Sequence, residues 1–442
     1  MGVILARYFN FESLGTNFRT ETTAGVTTYM TMVYIVFLQP AVLSQAGMDF
    51  GSVMMATCLS AALASFVMGV YANYPIGLAP GMGENFFFAI TVVLGMGVSW
   101  QAALACVFAS GVIFILLAFV KLREIIIDAI PGSLKAAIAA GIGLFIAFIG
   151  LVHAGIVKGP PTEVVALGDL HSPPVLIAGV ALLLTAALMH YRIKGAILIG
   201  MIAALAAALI FRIVPYEGIL SMPPSIEPTL FKLDLAALFT SEMIVVIIVF
   251  LFMDLFDTTG TLLAVSQQAG LLRNGKLPRA SRALLADAVG TTFGALVGTS
   301  TVTSFIESAS GVQEGGRSGF TAVVVGLLFL MTIFFYPLAR MIGCGVEAGE
   351  GVMLYPITAP ALIIVGSMMV RNIRHIKWEN VLEGIPAFLI MVGIPLTFSI
   401  QDGFALGFIS YPVLMLLAGK GKEVSTLMYI LGLVFLAKHI FL

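Results

Sequence analysis

The 442-residue chain reads as an all-α polytopic membrane protein built from two halves in inverted topology. Three observations predict this. Hydrophobic residues make up 60% and charged residues only 10%, with a mean hydropathy of +1.08, whereas soluble domains carry roughly 25% charged residues. Apolar stretches recur along the whole chain, many near the ~20 residues that a spanning helix needs. Two of them, at matching places in the two halves, are short and interrupted, which points to an inverted repeat with its substrate site at the break. Such a composition excludes a soluble enzyme and a disordered scaffold. The net charge of −1 gives no basic footprint for nucleic acid.

In chain order, the apolar segments one to fifteen lie at 22–46, 51–72, 80–97, 99–120, 131–155, 174–189, 195–213, 236–265, 281–298, 303–312, 319–343, 354–370, 382–400, 403–419 and 424–441. The start, Met1-Gly2-Val3-Ile4, has no charged region before an apolar run, so no cleavable signal is expected. Ala6 stands where myristoylation wants Ser or Thr. The loop cations set the orientation. With a cytoplasmic N-terminus, the inside receives Arg7, Arg19, Lys121, Arg123, Arg192, Lys194, Arg273, Lys276, Arg279, Arg282, Arg317 and Arg371, among others. The outside receives only Lys158, Arg212, Lys232 and Arg340. Segment fifteen breaks the even count and is expected either in the interface or as a sign that one earlier segment does not cross.

The polar stretch 214–235, with Pro215, Pro223, Pro224 and Pro228, divides the chain into seven segments before it and seven or eight after. Segment three opens with Pro75, Pro80, Gly81 and Gly83, followed by Asn85 and three phenylalanines. Segment ten opens with Thr299-Ser300-Thr301-Val302-Thr303 and carries Glu307 before Gly311. Each reads as an extended stretch entering a half-helix. An odd number of spans per half inverts the second half, so the substrate site is expected near the midplane, between the two half-helix N-termini and their positive dipole ends.

Ionisable residues inside a membrane are costly and mark function. Segment eight carries Asp254 and Asp257, three apart on one helix face. Segment nine carries Asp287 and segment ten Glu307, and no Lys or Arg lies beside any of the four in sequence. A carboxyl held in apolar surroundings without a cation is easier to carry neutral than charged, which suits a proton relay or a proton-coupled substrate site. Asp257 and Glu307 are each expected to adjoin a helix break. Asp254 and Asp287 serve equally as proton carriers or as polar ties between helices. Glu84 could line the cavity or face a polar neighbour. Asn85 offers both donor and acceptor groups, for a heterocycle edge or for a helix cap. The five histidines sit in loops or at segment ends.

Several patterns are set aside. Gly270-Leu-Leu-Arg-Asn-Gly275-Lys276 begins like a P-loop, but Leu277 replaces the required Ser or Thr, and it reads as a basic loop. Asp254-x-x-Asp257 has no second aspartate-rich motif to make a metal–diphosphate site, and no Gly-x-Gly-Asp motif suggests proteolysis. Cys58, Cys106 and Cys344 show no metal or disulfide spacing and read as inert packing residues. No cofactor or metal is expected.

The residues also carry a family resemblance. The stretch Phe18-Arg19-Thr20-Glu21-Thr22-Thr23-Ala24-Gly25, continuing through Val26-Thr27-Thr28-Tyr29-Met30-Thr31-Met32, resembles the first helix of AzgA-like adenine/guanine/hypoxanthine permeases. So do 73–85, Asp257-Thr258-Thr259-Gly260-Thr261-Leu262, and the long run from Ala283 through Asp287, Thr299–Val312 and Gly315-Gly316-Arg317-Ser318-Gly319. Pro386-Ala387-Phe388 and Pro395–Ile400 continue it. Gln39-Pro40, where the family has Asn-Pro, Ser318 for Thr, and the charged Glu84 depart from its pattern.

The resemblance implies the uracil-permease-type fold. Its fourteen spans form a core domain (1–121 and 236–343) and a gate domain (122–215 and 354–442). It implies import of a purine nucleobase by proton symport across the cell membrane, inner or plasma, and leaves homodimerisation open. It implies a substrate-binding set of Asp257, Glu307, Asn85, Phe87, Ser308, Thr261 and Thr28, and a proton-coupling set of Asp287, Glu307 and Asp254. The alternatives are an anion transporter of the same fold, a channel and a membrane-embedded enzyme. The half-helix dipoles would suit an anion, but the acidic residues around them would not.

Overall fold

A computed structural model describes residues 2–119, 129–159, 165–272, 277–348 and 352–441. It is almost entirely helical, and every one of the fifteen apolar segments has its counterpart. Among the described residues, eight helices are long and apolar enough to cross a membrane: Phe18–Ala46, Phe50–Ala72, Trp100–Ala118, Gly132–His153, Pro173–His190, Glu242–Gln268, Gly319–Gly343 and Ile400–Leu417. Shorter apolar helices lie at Met82–Gly95, Ala196–Ile210, Val381–Thr397 and Thr426–Ile440. The loop cations Lys121, Arg123, Arg273 and Lys276 lie outside the described residues, as does the 121/122 domain boundary.

Local chemistry sets the helix starts. Asn17, Asp49, Ser318, Asn380 and Ser399 each accept a backbone N–H from the first turn that follows, satisfying donors a helix start leaves free. Asn73 takes a left-handed φ of 54°, which its short polar side chain tolerates. Its Oδ1 accepts the N–H of Gly319 at 2.6 Å. Glu21, fully buried, accepts from Arg317 N, Ser318 N and the Thr321 hydroxyl. The carboxylate of segment one thus stabilises the start of segment eleven.

Segments three and ten are not continuous helices. Leu78–Pro80 and Val302–Ser304 are three-residue strands paired antiparallel, Ala79 opposite Thr303. The bonds Gly81 N to Thr301 O (2.9 Å) and Phe305 N to Gly77 O (3.0 Å) extend the pair. Helix follows each strand: Met82–Gly95 in segment three and Ser308–Gln313 in segment ten. The expected extended stretches are therefore present and touch each other.

Around this junction the helices pack in two groups. Segment two lies against segments nine and eleven, segment nine against segment four, and segment one against segments ten and eleven. Segment five lies along segments twelve and thirteen, and thirteen pairs with fourteen. Small residues let backbones approach where helices cross. A Cβ on Gly319 would run into the carbonyl oxygen of Gly69, and one on Gly366 into that of Gly143. Segment fifteen packs on segment fourteen, where Asp402 meets Lys438 at 3.6 Å and His439 at 3.3 Å. The long stretch 214–235 caps the end of segment nine: Thr229 donates to Val297 O at 2.9 Å, and Phe231 N to Leu296 O at 2.8 Å.

Two expectations need correction. Asp257 does not adjoin a helix break, because Ser241–Gln268 runs unbroken through it; Gly260 within it meets only open space and bends nothing. Cys344 is not a packing residue. It is exposed in the turn after Tyr336–Gly343, while Cys58 and Cys106 are buried as expected.

Gly319→Val drives a branched side chain into the Gly69 backbone and should cost about 1–3 kcal/mol by overpacking, read as a lower melting temperature in detergent. Gly179→Ala, in Pro173–His190 with open space around it, should leave the melting temperature unchanged or raise it.

Candidate functional site

The paired strands need hydrogen-bond partners on their outer edges, because hydrocarbon supplies none. Hydroxyls from the preceding helix supply them in the same way in both halves. Ser65 Oγ accepts Leu78 N–H at 3.0 Å and lies 3.2 Å from Leu78 O. Thr291 Oγ1 accepts Val302 N–H at 3.0 Å and lies 3.0 Å from Val302 O. One hydroxyl on segment two or nine clamps both backbone groups of one strand residue on segment three or ten. This local repetition is what an inverted repeat of the backbone produces.

The acidic residues gather on the segment-ten side of the junction. Asp257 hydrogen-bonds the Thr303 side chain, in the middle of the strand. Glu307 precedes the short helix, and its Oε1 accepts the Tyr34 hydroxyl at 2.6 Å. Asp257 is close enough to act electrostatically on both Glu307 and Tyr34. Behind Asp257, Asp287 Oδ1 accepts the Thr258 hydroxyl at 2.6 Å, and Asp254 Oδ2 lies 3.1 Å from Thr291 Oγ1. The Asp254 and Asp287 carboxyls lie against each other, close enough to interact directly. Their oxygens Asp254 Oδ1 and Asp287 Oδ2 are buried with no other partner.

Exposure separates two layers. Asp254 and Asp287 are fully buried, whereas Asp257 is exposed although protein surrounds it. Gly260, Ala264, Gln267 and Gln268 continue that exposed face at helical spacing to the end of the helix, and Ile306 and Gln313 of segment ten are exposed as well. Toward the other end of the same helix Val246, Val249, Phe250 and Met253 are buried, while Ile244 is exposed. Asp257 therefore meets the surface, whereas Asp254 and Asp287 behind it do not.

The remaining predicted residues divide. Asn85 Nδ2 donates to Gln39 Oε1 at 2.9 Å, and Gln39 Nε2 donates to Thr299 Oγ1 (2.9 Å) and Ser300 Oγ (2.8 Å). Asn85 Oδ1 is buried without a partner and free to accept a further donor. Ser308 accepts Gly77 N–H at 3.0 Å and is buried as part of the junction. Phe87 is fully buried edge-on to Phe250, ring centroids 4.8 Å apart. Thr261 is buried. Thr28 faces Gly311, where segments one and ten cross, with its hydroxyl unpartnered. Tyr34, Thr303 and Gln39 were not among the predicted site residues. A signal for Tyr34 existed: Thr27, Thr31 and Tyr34 recur at helical spacing on an otherwise apolar face.

Comparison with known proteins adds three findings. A family model for xanthine/uracil permeases, described as a permease family, matches residues 19–406. The guanine/hypoxanthine permease PbuG of Bacillus subtilis is 46% identical over 98% of this chain and 99% of its own, and the adenine permease AdeP of Escherichia coli is 41% identical over 99% and 96%. The transmembrane domain of the cyanobacterial bicarbonate transporter BicA superposes with a TM-score of 0.63 at 15% identity, over 88% of this chain and 97% of that domain.

The Asn85–Gln39–Thr299/Ser300 chain ties segments one, three and ten together. Gln39→Leu strands at least one buried donor, at about 1–3 kcal/mol, and should lower the melting temperature of the purified protein without changing its helix content by circular dichroism.

Proposed function

The chain belongs to the xanthine/uracil permease family, and from that premise we propose that it imports a purine nucleobase by proton symport. Its fold is the 7+7 inverted repeat of that transporter class, and it is a multi-pass membrane protein. The observation that carries the reading is the pair Asp257 and Glu307. They stand at the strand junction, Asp257 exposed and Glu307 partly so, in a chain similar over nearly its full length to permeases named for adenine and for guanine and hypoxanthine. A purine presents ring N–H and amino donors together with ring acceptors. Carboxylates accept from such donors, and Asn85 Oδ1 offers one more acceptor.

In this reading Asp257 and Glu307 hold the base while Thr303 and Tyr34 hold the carboxyls in position. A proton that binds Glu307 turns an acceptor into a donor and removes a charge that would be costly to move through a low-dielectric site. Asp254 and Asp287 form the deeper proton-sharing pair. Segments one to four and eight to eleven move as the core against a gate of segments five to seven and twelve to fourteen. With a cytoplasmic N-terminus, the end of segment eight at Gln268 faces inward. Lys194, between segments six and seven, pairs with Glu314 just after segment ten, a contact between gate and core.

Proteoliposomes with an inward proton gradient should accumulate one or more labelled purines, with accumulation abolished by a protonophore. Absence of uptake of adenine, guanine and hypoxanthine by correctly inserted protein would overturn the reading. Glu307→Gln keeps the shape and removes the titration. It should lower uptake about tenfold or more, the scale of one charged hydrogen bond, and flatten its pH dependence. Wild-type uptake with an unchanged pH profile would remove Glu307 from coupling.

A further inference from the structure

Where segment two leaves the bilayer and segment nine enters it, two arginines lie over two tyrosines. The Arg282 guanidinium sits above the Tyr71 ring, 5.3 Å from its centroid, and that of Arg279 above Tyr74 at 4.8 Å. Tyr71 is next to last in the span Phe50–Ala72. Arg279 precedes the helix Ala280–Val297, and Arg282 lies in its first turn. Arg279 is held in place: its Nη2 donates to Asn73 O at 3.1 Å, and its backbone N–H lies 3.4 Å from the Tyr74 hydroxyl. Arg282 and Tyr71 are exposed. Among the described residues, no carboxylate forms an ion pair with either guanidinium. Like charges three positions apart on a helix repel, and no ion pair offsets that here. A guanidinium on an aromatic face still presents its fork of N–H donors, the geometry that takes a phosphate bidentately.

An apolar surface adjoins the pair. The Tyr8 hydroxyl donates to Val70 O at 2.7 Å, fastening the helix Gly2–Tyr8 beside Tyr71. Phe9 and Phe11, which follow it, are buried in ring contacts with Phe320. On the helix itself Val3 is 85% and Ile4 73% exposed, and Tyr8 and Val70 are exposed as well.

We propose that this surface is a seat for an anionic phospholipid: Arg282 and Arg279 hold its phosphate, and Val3, Ile4, Tyr8 and Val70 form the apolar flank for the rest of the molecule. The pair carries two positive charges and no acid, so it matches a lipid of net negative charge, whereas a zwitterionic lipid would bring a cation of its own. The apolar flank at the membrane surface favours a lipid over free phosphate. The occupant braces the turn at Asn73, which leads into the strand Leu78–Pro80.

The test is thermal melting of the purified full chain in detergent, titrated with phosphatidylglycerol, phosphatidylcholine or inorganic phosphate. Wild type should gain a saturable rise in melting temperature with phosphatidylglycerol, and neither of the other two should match it. Arg282→Gln should weaken the apparent affinity for phosphatidylglycerol about tenfold, the scale of one charge-assisted hydrogen bond. Arg19→Gln removes an exposed arginine from the same face of the membrane but outside the stacks, and should respond as wild type does. An equal response to phosphatidylcholine overturns the proposal in favour of a general lipid effect. A response reproduced by inorganic phosphate overturns it in favour of a free-anion site. A loss in Arg19→Gln as large as that in Arg282→Gln overturns it in favour of a diffuse positive field. If Arg282→Gln does not fold, Tyr71→Leu, which keeps both charges and removes the exposed platform, should show the loss instead; an unchanged response of that variant also overturns the proposal. None of these readouts involves base transport, so the lipid seat and the transport reading stand or fall separately.

Discussion

The structure depends on one pairing: three residues of segment three against three residues of segment ten, inside a bilayer-sized bundle. A backbone that leaves the helix in hydrocarbon must bond to something, and each strand bonds first to the other. From that constraint follow the hydroxyl clamps at Ser65 and Thr291, the role of Ser308 on Gly77, and the demand for glycine where Gly81 and Gly311 meet close neighbours. The first turns of the two helices that follow the strands, and the carboxyls of Asp257 and Glu307, gather at this pairing.

The second constraint is charge. Glu84, Asp254, Asp257, Asp287 and Glu307 share a small region, and the hydrogen-bond partners described for the carboxyls of Asp254, Asp287 and Glu307 are hydroxyls. Hydroxyl donors orient a carboxyl without neutralising it, so its proton remains exchangeable, whereas a buried Lys or Arg would fix the charge. The layering follows the same logic. Asp257 is exposed, and the buried Asp254–Asp287 pair lies behind it, joined through Thr258 on the neighbouring position of the same helix.

Much of this was legible in the sequence. Apolar run length found all fifteen helical segments, and Pro80, Gly81 and the threonine-rich start of segment ten marked the two interruptions. The rarity of charge in the spans picked out Asp254, Asp257, Asp287 and Glu307. What escaped was directional. Asp257 was expected beside a break in its own helix, but it faces the break of another, and no one-dimensional pattern tells those apart. Ser308 and Phe87 sit beside the site in sequence, but their side chains turn into the packing, one onto a backbone N–H and one onto Phe250. Tyr34 and Gln39 lie more than 250 residues from Glu307 and Thr299, the groups they serve, so only the tertiary fold brings them into view.

The strand pairing also bears on how such a chain is made. Leu78 must wait for Ser304, and the ribosome supplies the second strand only after six further segments and the long polar stretch have been delivered to the membrane. Until then the first strand has an open edge at bilayer depth, with Ser65 as its one side-chain partner. The first half is therefore a biosynthetic intermediate rather than a domain that folds alone. It must be sheltered by its own helices, by the insertion machinery or by lipid headgroup water until its counterpart arrives.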